Sequence, residues 1–551
     1  MAGYKWRHSP LLSSSLIITI LEPYPTFIFF IFFKNKNKIM AKSRSTPIHP
    51  IVMLLVTYFL CTVGKSNALA CPLPPELATK LHVDQVAVDS ASSDYGNIVH
   101  SKPAAVLYPS SIEDIQRLVR SSYNCPIPFG ISVRGNGHSV NGQDMARDGV
   151  VVDMKSLREN KHGIKIRVYK NHLFADVGGE QLWIDVLHTT AAQGLSPVSW
   201  TDFLYLSVGG TLSNAGISGQ TFLHGPQISN VYELDVITGN GELVTCSKRN
   251  NSDLFESVLG GLGQFGIITR ARIGLRSAPA KVRWSRAFYS NFSDFIRDQE
   301  RIARGSQRDV ANYLEGSLVL DNGTPTEWIT SFFPPALLPR IMSLVKKHGI
   351  IYCLELTKYY FVDDTASEID QDLQRVFKDF AHVPGFIDAK FVSHQDFLTR
   401  VPNVENESLT HPWQNLFIPK SRISDFNLGV LREIVLKRNI TTGPVLFYPL
   451  NRHKWDAKSS AVIPDEDIFY TTSFLHTGGI DNWQVYDDQN KAVVRFCEEA
   501  GIKIVKYLAD YTTIEEWIKH FGSKWTTFRE RKAQYDPKNI LSPGQKIFNG
   551  I

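Results

Sequence analysis

Cysteine is scarce in this sequence, and the common signatures of a metal site are missing. Six cysteines occur among 551 residues, with no C-x-x-C pair and no H-E-x-x-H motif, and the histidines are scattered. Structural and catalytic zinc sites need such closely spaced ligands, so both are disfavoured and no metal is expected. Five cysteines follow residue 70 at wide spacings. A widely spaced, odd-numbered set is no disulfide framework, although one bridge is possible, so packing has to hold the core.

The sequence also lacks an uninterrupted apolar segment of the roughly 20 residues that cross a bilayer. Residues 16–33 are interrupted by a glutamate and two prolines, and residues 51–63 are too short. The second run follows two basic residues and ends before Ala-Leu-Ala at 68–70, a small-x-small cleavage pattern. This order predicts a signal peptide within residues 1–70, with Met40 as the working initiator and an upstream extension before it.

Negative charge is nearly absent from that same N-terminal segment. Residues 1–70 carry eight basic side chains and one acidic residue, Glu22, which gives +7. The whole chain has a formal charge of +5, so residues 71–551 carry −2. The basic character that would suggest nucleic acid or a membrane surface therefore belongs to a segment predicted to be removed. We expect neither as a partner of the mature chain.

Glycosylation motifs are frequent. Five N-x-S/T acceptors occur, at Asn250, Asn291, Asn322, Asn406 and Asn439. Each alone is weak, but together with the signal segment they predict a secreted extracellular glycoprotein. Delivery to a vacuole stays open.

The composition, with 43% hydrophobic and 11% aromatic residues, is that of a globular chain with a large core. No internal repeat or low-complexity linker is present. Up to residue 276, strands alternate with helices; the predicted strands are 104–107, 129–133, 149–154 and 174–177. One predicted helix opens with a capping box of Ser110 and Glu113, and another covers 180–192. Later segments are richer in aromatic residues, with strands at 328–333 and 352–361 and helices at 364–380 and 514–531.

The apparent dinucleotide fingerprint G-x-G-x-x-G at residues 261–266 misleads. A Rossmann site needs a strand before these glycines and a helix after them. Residues 253–259 instead predict a helix, and residues 267–275 predict a β-branched strand. The order is reversed, so we interpret the segment as a packed glycine turn.

A hydrolase nucleophile elbow is also excluded. The segment from Gly137 to Gly142 comes close to the pattern, but Ser139 is followed by Val140 and Asn141, where the elbow needs glycine at the second place.

Two other glycine-rich stretches form a chemically coherent set. Gly135-Asn136-Gly137 follows a predicted strand, and such a loop can turn backbone N–H groups toward a pyrophosphate without obstruction by side chains. His138 comes next, where the loop would face a cofactor, although it could equally be an ordinary hydrogen-bonded loop histidine. Residues 208–216 provide a second stretch of small and hydroxyl side chains.

The chain resembles the vanillyl-alcohol oxidase superfamily of flavoproteins and, within it, the cytokinin dehydrogenase (cytokinin oxidase) family. The segments that carry this resemblance are 200–204, 208–225, 411–417, 447–455 and 541–549. It spans roughly residues 75–550. One departure is Asn136, where many members have another residue, often arginine; we expect only local effects on the flavin loop.

The resemblance implies an α+β, two-domain flavoprotein. Its split PCMH-type FAD-binding domain would comprise residues 71–276 and 507–551, and an antiparallel-sheet substrate (cap) domain would comprise residues 277–506. It further implies FAD attached covalently through His138. The implied flavin contacts are Val133, Arg134, Gly135, Asn136, Gly137, His138, Ser139, Gln143, Asp202, Ser207, Ser213, Ile217, Ile267, Tyr507, Ser542 and Gln545.

The implied reaction is oxidation of an N6-substituted adenine, and it needs a carboxylate beside the substrate's secondary amine. Asp202 lies between aromatic and aliphatic neighbours that would raise its pKa, although a turn or N-cap aspartate would also fit. Glu315 is the second implied catalytic carboxylate, on the purine side; a solvated glutamate at a strand end is the alternative. Trp413 and Asn415 are expected to line the substrate pocket, and a core position would explain Trp413 almost as well.

We therefore predict a secreted, monomeric enzyme that degrades cytokinins and passes electrons to a quinone or oxygen. Two alternatives remain at this stage. One is another covalent-flavin oxidase of the superfamily that acts on sugars, lactones or phenols. The other is a catalytically silent binding glycoprotein on the same scaffold.

Overall fold

The computed structural model describes residues 16–17, 32–33, 71, 73–159, 166–305, 311–321, 333–361, 365–403, 406 and 408–548. The chain divides into two units, Met1–Asn67 and Ala68–Ile551. In the first, Leu16–Ile17 pairs antiparallel with Phe32–Phe33. The predicted cleavage site and Met40 lie outside the described residues. None of the described helices combines the length and apolarity needed to span a bilayer.

A four-stranded sheet opens the second unit. Its spatial order is Leu81–His82, Ala105–Leu107, Val150–Asp153 and Ile131–Arg134, and the last three strands are parallel. Parallel strands need crossover connections, and the helix Ile112–Asn124 provides one. Its apolar side, which contains Ile115 and Leu118, packs into the same core as the buried Val150. The predicted strand–helix–strand order is confirmed.

The predicted capping box of that helix is wrong by one residue. The helix begins after Ser111, and the carboxylate of Asp114 accepts the backbone N–H groups of Ser110 at 2.8 Å and Ser111 at 3.1 Å. Asp114 is buried and also pairs with Lys80 at 2.6 Å, whereas Glu113 is exposed. The buried carboxylate, which also pairs with a lysine, therefore takes the capping position.

A six-stranded antiparallel sheet follows in the chain. Its path is Leu243–Ser247, Val231–Ile237, Ile267–Ser277, Phe174–Gly178 and Arg167–Tyr169, and Leu195–Pro197 pairs with the end of the long central strand. The helices of this region are Trp183–Ala191, Val208–Asn214, Thr221–His224 and Ser252–Val258. The G-x-G-x-x-G segment connects Ser252–Val258 to Ile267–Ser277, so the predicted order of helix, glycine turn and strand is confirmed.

An eight-stranded antiparallel sheet dominates the region after residue 280. Its order is Ile387–Ser393, Lys281–Tyr289, Ile350–Tyr360, Tyr313–Leu320, Val445–Asn451, Ile468–Phe474, Gln414–Pro419 and Val505–Lys506. The accompanying helices are Phe292–Arg304, Leu338–His348, Ala366–Lys378, His394–Leu398, Ile423–Phe426 with its π-helical continuation Asn427–Leu436, and Gln484–Glu499. The predictions at 352–361 and 364–380 are confirmed. Most of the predicted strand at 328–333 lies outside the described residues.

The C-terminal segment returns to the first sheet. Ile131 donates its backbone N–H to the Ile540 carbonyl at 2.8 Å and accepts from the Ser542 N–H at 2.9 Å. The single helix predicted over 514–531 is wrong. The structure has two helices, Ile514–Phe521 and Trp525–Tyr535, and the first ends where Gly522 adopts a φ of 51°.

A disulfide joins Cys71 to Cys125, the residue that follows the helix Ile112–Asn124. One bridge was expected to be possible, and one is present; Cys246, Cys353 and Cys497 are free and buried. The bridge closes a segment of 54 residues, which restricts the unfolded chain more than the folded one.

Replacing Cys125 by Ser should therefore lower the free energy of unfolding by about 2–4 kcal/mol. A drop of the thermal unfolding midpoint in circular dichroism would show this. The double variant Cys71→Ser/Cys125→Ser is the matched control. Its unfolding midpoint should equal that of the single variant, because both proteins lack the same bond. An unchanged midpoint in the single variant would contradict the stabilising role of the bridge.

Candidate active site

The two predicted glycine-rich stretches meet in space. The loop 135–137 follows the strand Ile131–Arg134, and Gly137 needs its positive φ of 70° to make the turn. A Cβ on Gly135 would lie 2.0 Å from the hydroxyl oxygen of Ser207, which precedes the helix Val208–Asn214. Backbone from both stretches thus borders one space with little side-chain volume, as an extended diphosphate requires.

Residues near the C-terminus also contact these glycine-rich elements. Ser542 donates its hydroxyl hydrogen to the Gly263 carbonyl at 3.0 Å. Gln545, which follows shortly after Ser542 in the chain, is buried. The Gln545 side-chain oxygen has no hydrogen-bond partner among the described residues. The Tyr507 hydroxyl accepts the Gly216 N–H at 3.0 Å. A buried amide oxygen without a donor suits a flavin, whose ring carries an N–H, so the residues present fit FAD.

The remaining predicted flavin contacts lie around the same loops. Asn136 donates its amide to the Tyr205 carbonyl at 2.9 Å, which ties the loop to the segment that contains Asp202. Arg134 pairs with Asp144 at 3.2 Å, and the Ser139 hydroxyl lies 2.9 Å from the same carboxylate. The other predicted contacts lie in or beside these elements. The Gln143 side chain accepts the Asn141 N–H, and the Ser213 hydroxyl donates to the Gly209 carbonyl. The apolar residues Val133, Ile217 and Ile267 pack against the hydrophobic cores.

His138 lies in a stack of three rings. Its imidazole is 3.8 Å from the Tyr95 ring, and Tyr95 is 4.0 Å from His411, with all three planes nearly parallel. Two rings cannot both stack on one face of Tyr95 at these distances, so Tyr95 lies between the two histidines. Burial lowers the pKa of His138 to about 4, and its imidazole is neutral at pH 7. A neutral ring keeps a nitrogen lone pair, which a nucleophile needs.

The two predicted carboxylates are also brought together. The hydroxyl oxygen of Tyr313 lies 2.9 Å from Asp202 Oδ1 and 2.5 Å from Glu315 Oε2. Burial, above all other causes, raises the pKa of both carboxyl groups, and the charge of Asp202 raises the pKa of Glu315 further. The buried position of Glu315 contradicts the solvated strand-end alternative.

One proton has to be shared within this group. Tyr313 carries a single hydroxyl hydrogen and can donate to one carboxylate only. The second short contact then requires a protonated carboxyl group that donates to the Tyr313 oxygen. The Glu315 side chain is 8% exposed and that of Asp202 is 23% exposed, so the proton is better placed on Glu315. This leaves Asp202 as a carboxylate that can accept a substrate proton.

Aromatic residues connect the Asp202–Tyr313–Glu315 group to the ring stack of His138. Phe203 follows Asp202 in the chain, and its ring lies 4.8 Å from the imidazole of His138. Trp413 packs 6.0 Å from His138 and 5.4 Å from Tyr95, and its indole N–H is buried with no partner among the described residues. The Asn415 carbonyl accepts the Tyr507 N–H at 2.9 Å. Trp413 therefore borders the site, where a purely core position was the alternative.

Several residues of this site were missed by sequence reasoning. They are Tyr95, Tyr313, Arg400, Glu355 and Arg286. Tyr313 had a signal, because it lies two residues before Glu315 in a strand and so shares its face. Arg400 had none: its Nη2 lies 3.3 Å from Glu315 Oε2, but the two residues are 85 positions apart in the chain.

Comparison with known sequences places this geometry in a family context. Residues 279–548 match the family described as "Cytokinin dehydrogenase 1, FAD and cytokinin binding", and residues 103–247 match "FAD binding domain". The chain is 50% identical over 484 residues to cytokinin dehydrogenase 3 of Arabidopsis thaliana, which covers 86% of this chain and 91% of that protein. It is 45% identical over 523 residues to cytokinin dehydrogenase 5 of Oryza sativa subsp. japonica, which covers 90% and 97%.

Solved structures support the fold. 6-Hydroxy-D-nicotine oxidase from Arthrobacter nicotinovorans superposes with a TM-score of 0.60 at 17% identity, covering 86% of this chain and 98% of that chain. Xylooligosaccharide oxidase from Myceliophthora thermophila gives 0.62 at 16%, covering 86% and 96%. A VAO-type flavoprotein from the same fungus gives 0.61 at 13%, covering 85% and 86%. The predicted fold class is confirmed: a flavin-binding domain with a second, antiparallel-sheet domain.

Proposed function

The chain belongs to the cytokinin dehydrogenase family and is an FAD-dependent oxidoreductase that acts on cytokinins, and on this premise we propose how its own residues carry out the reaction. The observation that carries the proposal is the hydrogen-bonded group of Asp202, Tyr313 and Glu315, which lies next to the ring stack of His138.

FAD, when bound, supplies the two-electron acceptor for the hydride that leaves the substrate. Asp202 accepts the hydrogen of the N6 amine as a hydrogen bond and then takes it as a proton. The nitrogen lone pair forms the new C=N bond as hydride leaves the adjacent side-chain carbon. Water then adds to this imine, and the C–N bond breaks to give adenine and an aldehyde of the side chain.

The other residues of the site bind and orient the substrate. Glu315, held as an acid by its burial, faces the purine side, and Trp413 and Asn415 line the pocket. The buried Trp413 indole N–H is an available donor. Water exclusion around Asp202 strengthens its hydrogen bond to the amine, because the local dielectric constant is low.

We propose that His138 holds FAD covalently through a ring nitrogen. Two observations support this attachment: the imidazole is neutral because of its burial, and Tyr95 fixes its plane. A tether prevents cofactor loss outside the cell, where FAD cannot be replenished.

We further propose that residues 71–276 and 507–551 form the flavin domain and residues 277–506 the cap domain. The return of Ile540 and Ser542 to the strand Ile131–Arg134 supports the split, as does the position of the eight-stranded sheet, whose strands fall between 281 and 506.

Secretion to the extracellular space, with a vacuole as the other destination, is also a proposal. The disulfide Cys71–Cys125 is typical of an oxidising compartment. The sequon residues Asn250, Asn291, Asn406 and Asn439 are exposed, so glycosylation would meet no steric barrier there, and Asn322 lies outside the described residues. We propose a monomer that passes electrons to a quinone or oxygen.

Steady-state turnover tests the proposed chemistry. The purified protein should convert isopentenyladenine to adenine and an aldehyde in the presence of a dye acceptor. An analogue with a second alkyl group on N6 lacks the amine hydrogen that Asp202 accepts and should not turn over. Oxidation of a sugar or phenol in place of isopentenyladenine would overturn the proposal in favour of another oxidase of the superfamily.

A further inference from the structure

Arg400 lies at the centre of the buried carboxylates. It follows the helix His394–Leu398, and its side chain is 7% exposed. Its Nη2 lies 3.3 Å from Glu315 Oε2 and 3.5 Å from Asp202 Oδ1, and it also donates to the Tyr313 hydroxyl oxygen. The guanidinium is held over the Phe397 ring at 4.5 Å. One cation therefore touches every polar group of the proposed proton acceptor.

A row of charged side chains continues from Glu315 across the eight-stranded sheet. Glu315 is the register partner of Glu355, Glu355 is the partner of Arg286, and Arg286 is the partner of Asp388. Register partners on neighbouring strands point to the same face, so these four side chains form one line. Arg286 Nε binds Glu355 Oε2 at 3.0 Å, and Arg400 Nε lies 3.7 Å from Glu355 Oε1.

Carboxyl groups outnumber guanidinium groups in this cluster. Among the described residues, two guanidinium groups (Arg286 and Arg400) meet three buried carboxyl groups (Asp202, Glu315 and Glu355), and Arg286 also lies 3.6 Å from the partly exposed Asp388. Excess negative charge in such surroundings is costly, and a proton on one of the buried carboxyl groups reduces it. This count agrees with the independent requirement that the lone Tyr313 hydrogen imposes.

We propose that Arg400 and Glu355 are positioning residues that set, with opposite sign, the pH range over which the Asp202–Glu315 pair holds a single proton. Neither needs to touch substrate. The cation of Arg400 favours loss of the shared proton, and the carboxylate of Glu355 favours its retention. The inference rests on the proposed role of Asp202 as the proton acceptor.

The sign of each effect follows from the groups that face the pair. Arg400 lowers the pKa of both carboxyl groups and Glu355 raises both, against a larger increase from burial. Tyr448, in the strand Val445–Asn451, interacts with both carboxyl groups, and Tyr507, which follows the strand Val505–Lys506, interacts with Asp202. Burial raises the pKa of both phenols, so they add no charge at neutral pH. Arg286 and Asp388 lie beyond Glu355 and face it from the far side.

The test is the pH profile of kcat/KM for isopentenyladenine, measured on FAD-loaded protein. The acid limb reports protonation of Asp202, and the alkaline limb reports loss of the shared proton. Arg400→Gln should move both limbs to higher pH and Glu355→Gln should move both to lower pH, each by about 1–3 units. The double variant removes both charges, so its limbs should return toward the wild-type positions.

Controls separate this role from a structural one. Arg301→Gln removes an exposed guanidinium paired with Asp379 and should leave both limbs in place. Arg400→Lys keeps the charge and should keep limbs close to those of the wild type; if Arg400→Gln fails to fold, Arg400→Lys and Glu355→Gln carry the test. If the limbs of Glu355→Gln stay at the wild-type pH or move to higher pH, the inference is overturned. Absence of turnover in the wild type would instead refute the proposed function.

Discussion

Replacement of Asp202 by Asn should reduce the turnover of isopentenyladenine by about 10²–10⁴-fold, the usual contribution of a positioned base. The amide has nearly the same shape and can still bind Tyr313, but it cannot take a proton from the N6 amine. The FAD content should stay unchanged, because the amide keeps the shape of the side chain and its Oδ1 can still accept from Tyr313 and Arg400. Stopped-flow reduction of the bound flavin by substrate measures the effect directly.

Glu315→Gln is the matched variant for this experiment. Since Glu315 is expected to carry the shared proton, the amide can donate to the Tyr313 oxygen in its place, and the loss should be clearly smaller than in Asp202→Asn. The alkaline limb of the pH profile should also disappear, because the variant has no proton to lose there. Equal losses in the two variants would show that the proton does not reside on Glu315.

Replacement of His138 by Ala should abolish covalent flavin. In the wild type, flavin fluorescence should migrate with the polypeptide in a denaturing gel, and acid precipitation should leave the supernatant colourless. In the variant, any yellow colour should move entirely to the supernatant. The reason is geometric: the other histidine of the stack, His411, is separated from His138 by the Tyr95 ring.

Variants of the other two rings are the controls for the tether. His411→Ala should retain covalent flavin, since the His411 ring lies on the face of Tyr95 opposite to His138. Tyr95→Ala removes the ring that fixes the imidazole plane and should lower the covalent fraction without eliminating it. Fluorescence that persists on the polypeptide in His138→Ala would mean that another side chain holds the flavin.

The positions of several site residues could be predicted because their signals are local, whereas their roles were implied by the resemblance to the family. The glycines at 135 and 137 and the following histidine form one short motif, and Asp202 is surrounded by apolar neighbours in sequence. The reversed order of helix and strand around the glycines 261–266 likewise excluded a Rossmann site correctly. Each of these inferences depends on residues within about one element of one another.

The parts that sequence reasoning missed depend on long-range pairing. Arg400 is 198 positions from Asp202, and it reaches the carboxylates only because the helix His394–Leu398 packs beside the eight-stranded sheet. Glu355 and Arg286 are buried charges that strand register brings into line, which no periodicity indicates. The helix break at Gly522 was missed because the apolar residues on both sides fit one continuous pattern, while the backbone turns there with a positive φ.

Anaerobic mixing of the FAD-loaded protein with isopentenyladenine tests the central claim most directly. The account predicts that the visible flavin absorbance is lost in the wild type within the time of one turnover, that adenine and an aldehyde are released, and that Asp202→Asn bleaches about 10²–10⁴-fold more slowly. Adenine alone, which has no side-chain carbon to oxidise, should leave the absorbance unchanged. Flavin that stays oxidised with isopentenyladenine, or an Asp202→Asn protein that bleaches as fast as the wild type, would contradict the account.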